Sequence, residues 1–142
     1  MIKSIAIVGV MLTVGSLQAN AFQCNVVSGG PFAGTVRTPI QMTTDPHGAS
    51  AEGITTSDAG VKIEVSVRKM KKAGIWTEGS SPDGGVSLTL GIVNPESRLG
   101  SDTIASVSAE GIKNGLNSAD LKLSALGRIS ENSWIRVECR AD

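Results

Sequence analysis

The chain has 142 residues, with 13 basic groups, 13 acidic groups and a single histidine. That balance removes the global positive field by which nucleic acids and acidic membrane surfaces attract a domain. Aromatic residues make up 3% of the chain and tyrosine is absent, which leaves little for the multi-ring platforms on which sugars and single strands stack.

Residues 1 to about 21 read as a cleavable signal peptide. Lys3 supplies a positive start, Ile5 to Val14 form a short apolar run, and Ala19-Asn20-Ala21 has the small-x-small shape of a signal peptidase site. A spanning helix needs about 20 apolar residues, and Thr13, Gly15, Ser16 and Gln18 interrupt this run. Cleavage leaves Phe22 first. Phe22 and Gln23 occupy the places where a lipoprotein needs small residues, which argues against acylation of Cys24. The mature span, 22–142, is the size of one domain. Loss of Lys3 leaves 12 basic groups against 13 acidic, a formal charge of −1.

Period-two alternation dominates the mature span. Phe22, Cys24 and Val26 alternate with Gln23 and Asn25, as in a half-buried strand. Thr38 to Thr44 is a weaker strand candidate. The only histidine, His47, lies in Asp45-Pro46-His47-Gly48, where a proline and a glycine spell a turn and a solvated imidazole is unremarkable. Ser50 to Thr56 is a second weaker strand, and Ser57-Asp58-Ala59-Gly60 a turn. Val61, Ile63, Val65 and Val67 then point one way while Lys62, Glu64, Ser66 and Arg68 point the other, a pattern that a helix would scramble.

Arg68, Lys69, Lys71 and Lys72 crowd the end of this strand, and Ala73-Gly74-Ile75-Trp76 comes next. Together with Trp76 they form the candidate binding site, a basic tip beside an indole that would attract an anionic partner. The competing reading is a solvated strand end whose lysines discourage edge-to-edge pairing. Ser66-Val67-Arg68-Lys69 matches the S-x-x-K pattern of penicillin-recognising enzymes. An offset of three in a strand, however, puts Ser66 and Lys69 on opposite faces.

Gly74 to Thr77 is another weak strand, and Ser81-Pro82-Asp83-Gly84-Gly85 a turn. Val86, Leu88, Leu90 and Ile92 then repeat the strong alternation. Asn94, Glu96 and Asp102 lack the alternating order of a calcium loop. Asp102 to Glu110 reads either as a short helix or as a strand with Ala105, Val107 and Ala109 inward, and the strand is preferred. After the turn at Asn117 to Asp120, Leu121 to Leu126 is a weak strand. Ile135, Val137 and Cys139 alternate with Trp134, Arg136 and Glu138 at the end.

Both cysteines thus fall on the apolar face of a terminal strand, which predicts a Cys24–Cys139 disulfide in an oxidising compartment. The expected fold is all-β: an antiparallel β-sandwich or small barrel of about seven to nine strands, its first and last strands joined by the disulfide.

No nucleophile elbow, zincin helix, phosphate loop or dinucleotide fingerprint occurs. The acids Glu64, Glu78, Asp83, Glu96, Asp102 and Glu138 are scattered singly. The expectation is an exported, non-catalytic binding or interaction module of the bacterial envelope, periplasmic or extracellular. It needs no cofactor or metal, and its partner is an acidic protein or an anionic envelope polymer rather than nucleic acid. The mature chain has no transmembrane segment. One alternative is a small secreted inhibitor presenting a loop or the tip to a glycan-cleaving or proteolytic enzyme. Another is a small hydrolase using paired carboxylates or His47.

Overall fold

A computed structural model of the protein describes residues 22–28, 36–75, 77, 79–110, 112, 116, 118 and 120–141. Residues 1–21, expected to be the signal segment, and Phe32, Trp76 and Glu78 lie outside the described residues.

The alternating segments form strands β1 (Gln23–Ser28), β2 (Val36–Ile40), β3 (Met42–Thr44), β4 (Ser50–Thr56), β5 (Lys62–Lys72), β6 (Ser80–Ser81), β7 (Gly85–Val93), β8 (Ser101–Glu110), β9 (Lys122–Ser130) and β10 (Ser133–Arg140). They build two sheets of a sandwich. One has four strands in the order β2-β1-β10-β9; the other has six, in the order β3-β4-β5-β7-β8, with β6 beside β5. All pairings are antiparallel except the two-residue contact of β6 with β5.

The strand count exceeds the expected about seven to nine for two reasons. The segment Thr38 to Thr44 divides at Gln41, so that β2 and β3 serve different sheets, and Ser80–Ser81 adds β6. The ambiguous Asp102 to Glu110 is strand, with Ala105, Val107 and Ala109 opposite buried Leu90, Leu88 and Val86. The expected strand at Gly74 to Thr77 is a correction. Thr77 and Ser80 exchange N–H···O bonds of 3.2 and 3.0 Å, which pulls the chain into a tight turn with a single bridge instead of a ladder.

Inward side chains make the core. Ile63, Val65, Val67, Val86, Leu88 and Leu90 from the larger sheet meet Leu123, Ala125, Ile135 and Val137 from the smaller. Each large aliphatic among them contributes about 1.5–3 kcal/mol by burial. Cys24 and Cys139 sit directly opposite each other on β1 and β10, Cα atoms 4.0 Å apart, and are bonded. The bridge closes a loop of 115 residues, worth about 4–5 kcal/mol in the chain-entropy account.

Two β-bulges shape the sandwich. Leu90 faces Ala105 but Gly91 faces Thr103, so Ile104 is an extra residue in β8. Its side chain lies over Gly127 of β9, where even a methyl group would come within 2.7 Å of Ile104 Cδ1. That close approach brings the edges of the two sheets together. In the β9–β10 hairpin Ser133 faces Ser130 but Trp134 faces Arg128, leaving Ile129 as the extra residue. Among the described residues no helix is long and apolar enough to cross a membrane.

Candidate functional site

The basic tip is only partly assembled as a unit. Lys69, Lys71 and Lys72 are exposed at the end of β5 and line an open concavity of about 570 Å3 together with Asp83 and the Gly84–Gly85 backbone. Arg68 points elsewhere. Its Nη2 lies 3.1 Å from Glu52 Oε1 and its Nε donates to Ser66 Oγ at 3.2 Å, on the outer face of the six-stranded sheet. Three lysines therefore share the tip, and Arg68 is paired by Glu52. Ile75 beside them is exposed, while Trp76 lies outside the described residues.

A second basic surface, which the local sequence does not advertise, covers the outer face of the four-stranded sheet. Alternation turns Lys122, Ser124, Leu126 and Arg128 of β9 outward, with Trp134, Arg136, Glu138 and Arg140 of β10. Register then lays these residues out in rows. Arg140 pairs with Lys122; Pro39, Asn25, Glu138 and Ser124 form the next row; Arg37, Val27, Arg136 and Leu126 the next; Trp134 and Arg128 close the far end. Among the described residues the face carries five cations (Arg37, Lys122, Arg128, Arg136 and Arg140) against the single acid Glu138.

Glu138 is shared. Its Oε1 accepts from Arg136 Nη2 at 2.6 Å and its Oε2 from Arg37 Nη1, so that both guanidinium groups are held over the middle of the sheet. Arg128 is fixed differently. Its Nε and Nη2 donate to the carbonyls of Ser130 and Glu131, both at 3.2 Å, while its Cζ lies 5.8 Å from the centre of the Trp134 ring. Lys122 and Arg140 have no ion-pair partner among the described residues. They flank a shallow concavity of about 350 Å3 that Ser124, Asn25, Arg37 and Glu138 also line. Trp134 is 56% exposed and Leu126 58%.

The outer face of the six-stranded sheet is unlike this one. Ser66, Thr89 and Ser106 lie in one row and Arg68, Ser87 and Ser108 in the next, with Thr89 and Ser106 hydroxyls 3.5 Å apart. Its charges, Lys62 and Arg68 against Glu52, Glu64 and Glu110, nearly balance. Positive charge is therefore concentrated on the outer face of the four-stranded sheet and, separately, at the three tip lysines of β5, although the chain as a whole is close to neutral.

The remaining candidates fall in turns or on open faces. Asp45 accepts the backbone N–H of His47 at 3.0 Å and of Ala49 at 3.2 Å, closing an Asx-turn with His47 exposed. The N–H of His47 chiefly holds the Asp45 carboxyl below its ordinary 3.8. Asn94 Nδ2 donates to Asp102 at 2.9 Å and Asn94 Oδ1 accepts the N–H of Glu96, so these groups brace the β7–β8 loop. Ser66 and Lys69 lie in β5. Glu64 lines an open concavity of about 390 Å3 with Glu52, Gln41 and Thr43.

No family model, curated protein or solved structure matches the chain.

Proposed function

We propose that the mature domain is an exported, non-catalytic binding module of the bacterial envelope, periplasmic or extracellular, that engages an anionic partner through the outer face of the four-stranded sheet. The observation that carries the reading is charge segregation: Arg37, Lys122, Arg128, Arg136 and Arg140 against Glu138 on one flat surface of a near-neutral chain. Unlike charges in a scattered surface, four of these sit on the adjacent strands β9 and β10, spaced about 4.8 Å apart, and Arg37 reaches in from β2, so their fields add at short range. The disulfide ties β10, which presents Arg136 and Arg140, to β1, which lies between it and the Arg37 strand β2. The signal-like leader and the disulfide together support the compartment.

Retention on a sulfated matrix tests the reading. The mature oxidised protein should be held at low salt and released as ionic strength rises, and Lys122→Glu with Arg140→Glu should pass through. Equal retention of parent and variant would overturn it.

A second reading rests on the concavity at Lys69, Lys71 and Lys72. Those lysines would enter the acidic cleft of a target enzyme, making the domain a secreted inhibitor. Lys71→Glu with Lys72→Glu would abolish that contact and leave matrix retention through the sheet nearly intact.

A further inference from the structure

Resting on the reading of the four-stranded face as the binding surface, we propose that its ligand is a linear acidic polysaccharide lying along β9 and β10. In this arrangement Trp134 packs against a sugar ring, and the Lys122–Arg140 pair and Arg128 take acid groups at the two ends. The geometry sets the kind of ligand through length, order and charge density.

Length comes first. Lys122 and Arg128 are six residues apart on one strand, about 20 Å at the usual rise. A small anion reaches one end only, whereas an extended polymer reaches both. Among the described residues the face has no walls: its concavity is shallow and sits between Lys122, Arg140 and Arg37, a seat for one acid group and not an enclosure for a whole ligand.

Order distinguishes a polymer from a membrane. Trp134 lies opposite Arg128, and Leu126 lies opposite Arg136. In these two rows apolar and cationic side chains alternate both across and along the strands, while the other two rows are Glu138 opposite Ser124 and Arg140 opposite Lys122. Insertion into lipid favours a contiguous apolar patch with cations around its rim, and a checkerboard would carry guanidinium groups in with the indole. A chain whose rings show an apolar face, with acid groups projecting beside it, matches the alternation.

Charge density distinguishes the polysaccharide from nucleic acid. Glu138 occupies Arg37 and Arg136, so three cations, Lys122, Arg128 and Arg140, remain over the span of about 20 Å. A nucleic acid strand places a charge about every 3.4 Å, far more than three cations can match. A polymer with one acid group every few sugars fits the spacing. Because a single ring stacks, most of the attraction is electrostatic and therefore salt-sensitive.

The test titrates the mature oxidised protein with a uronate oligomer, a linear oligosaccharide longer than the span that carries one uronate every two or three sugars. Neutral oligomers of the same length, anionic phospholipid vesicles and a single-stranded oligonucleotide are compared, with indole fluorescence and calorimetry as readouts. The uronate oligomer should bind and shift the fluorescence, and the shift should vanish in Trp134→Phe. Lys122→Gln with Arg140→Gln should weaken binding about tenfold, whereas Lys71→Gln with Lys72→Gln should not. Uronate dimers, reaching one end only, should bind more weakly. Glu138→Gln, which frees Arg37 and Arg136, should tighten binding and serves as the check should the double variant fold poorly. Preference for vesicles or the oligonucleotide over the uronate would overturn the polysaccharide assignment and leave the binding face standing. No binding by any probe, or binding unaltered by the face variants, would overturn both.

Discussion

Trp134 stands opposite Arg128 across the β9–β10 hairpin because Ile129 is left unpaired; a regular ladder would have placed Ile129 there instead. The bulge thus sets an indole against a guanidinium at 5.8 Å while the hairpin carbonyls fix the guanidinium. At an exposed site such a contact is worth about 0.5–1 kcal/mol. A double-mutant cycle of Trp134→Ala and Arg128→Ala in urea unfolding should return a coupling of that size. Additive losses would show that the two side chains are neighbours without interaction.

Glu138, its side chain 20% exposed, holds the two guanidinium groups of Arg37 and Arg136, which are themselves 51% and 44% exposed. Solvent screening keeps such pairs to about 0–1 kcal/mol. Glu138→Gln should therefore unfold at nearly the parent's urea midpoint yet elute from a sulfated matrix at higher salt. A large stability loss with unchanged elution would mean that the acid is structural and its arginines idle.

The disulfide restrains a loop of 115 residues. Replacing Cys24 and Cys139 by alanine should lower the unfolding free energy by up to about 4–5 kcal/mol, and reductant should affect the parent and not the variant. Mass spectrometry of the parent without reductant should recover the peptides containing Cys24 and Cys139 as one linked species.

Gly85 begins β7 at φ 137°, and a methyl group there would meet the Ala109 carbonyl oxygen at 2.1 Å. Neither backbone can give way without breaking the β7–β8 ladder. Gly85→Ala should cost at least about 1–3 kcal/mol from the backbone conformation alone, seen as a lower melting temperature. Parent-like melting would show that the strand start relaxes.

Asp45 is held below its ordinary 3.8, chiefly by the N–H of His47, which together with that of Ala49 outweighs the opposing effect of lost solvation. A depressed carboxyl stabilises the folded turn above its ordinary value and loses that contribution as pH falls through the lower, folded one. NMR titration of the Asp45 side chain should show a midpoint below 3.8, and Asp45→Ala should remove the acid-induced change at His47 and Ala49 amides.

Much of this fold is legible in the alternation of its strands. Ile63, Val65 and Val67, Val86, Leu88 and Leu90, and the inward cysteines all declare a half-buried strand without reference to a partner. The tip lysines are equally visible because they are contiguous in sequence. The sheet face is not. Arg37 joins Arg136 through Val27, on three strands from opposite ends of the chain, and no local window contains that row. A partial signal exists in the outward positions of the last two strands, Lys122 and Arg128 with Trp134, Arg136 and Arg140. Reading it requires the β9–β10 register, and the bulge at Ile129 that sets this register has no sequence mark of its own. The pairing of Arg68 with Glu52 is hidden for the same reason, since the β4–β5 register alone brings those side chains together.

Amide-shift mapping of the isotopically labelled mature protein, titrated with a sulfated oligosaccharide at low salt, tests the binding face most directly. Perturbations should concentrate on Lys122 to Arg128 and Trp134 to Arg140, extend to Asn25 and Arg37, and collapse as salt is added. Perturbations confined to Lys69 to Lys72 and Asp83, or spread over the hydroxyl-rich face at Ser66, Thr89 and Ser106, would contradict the assignment.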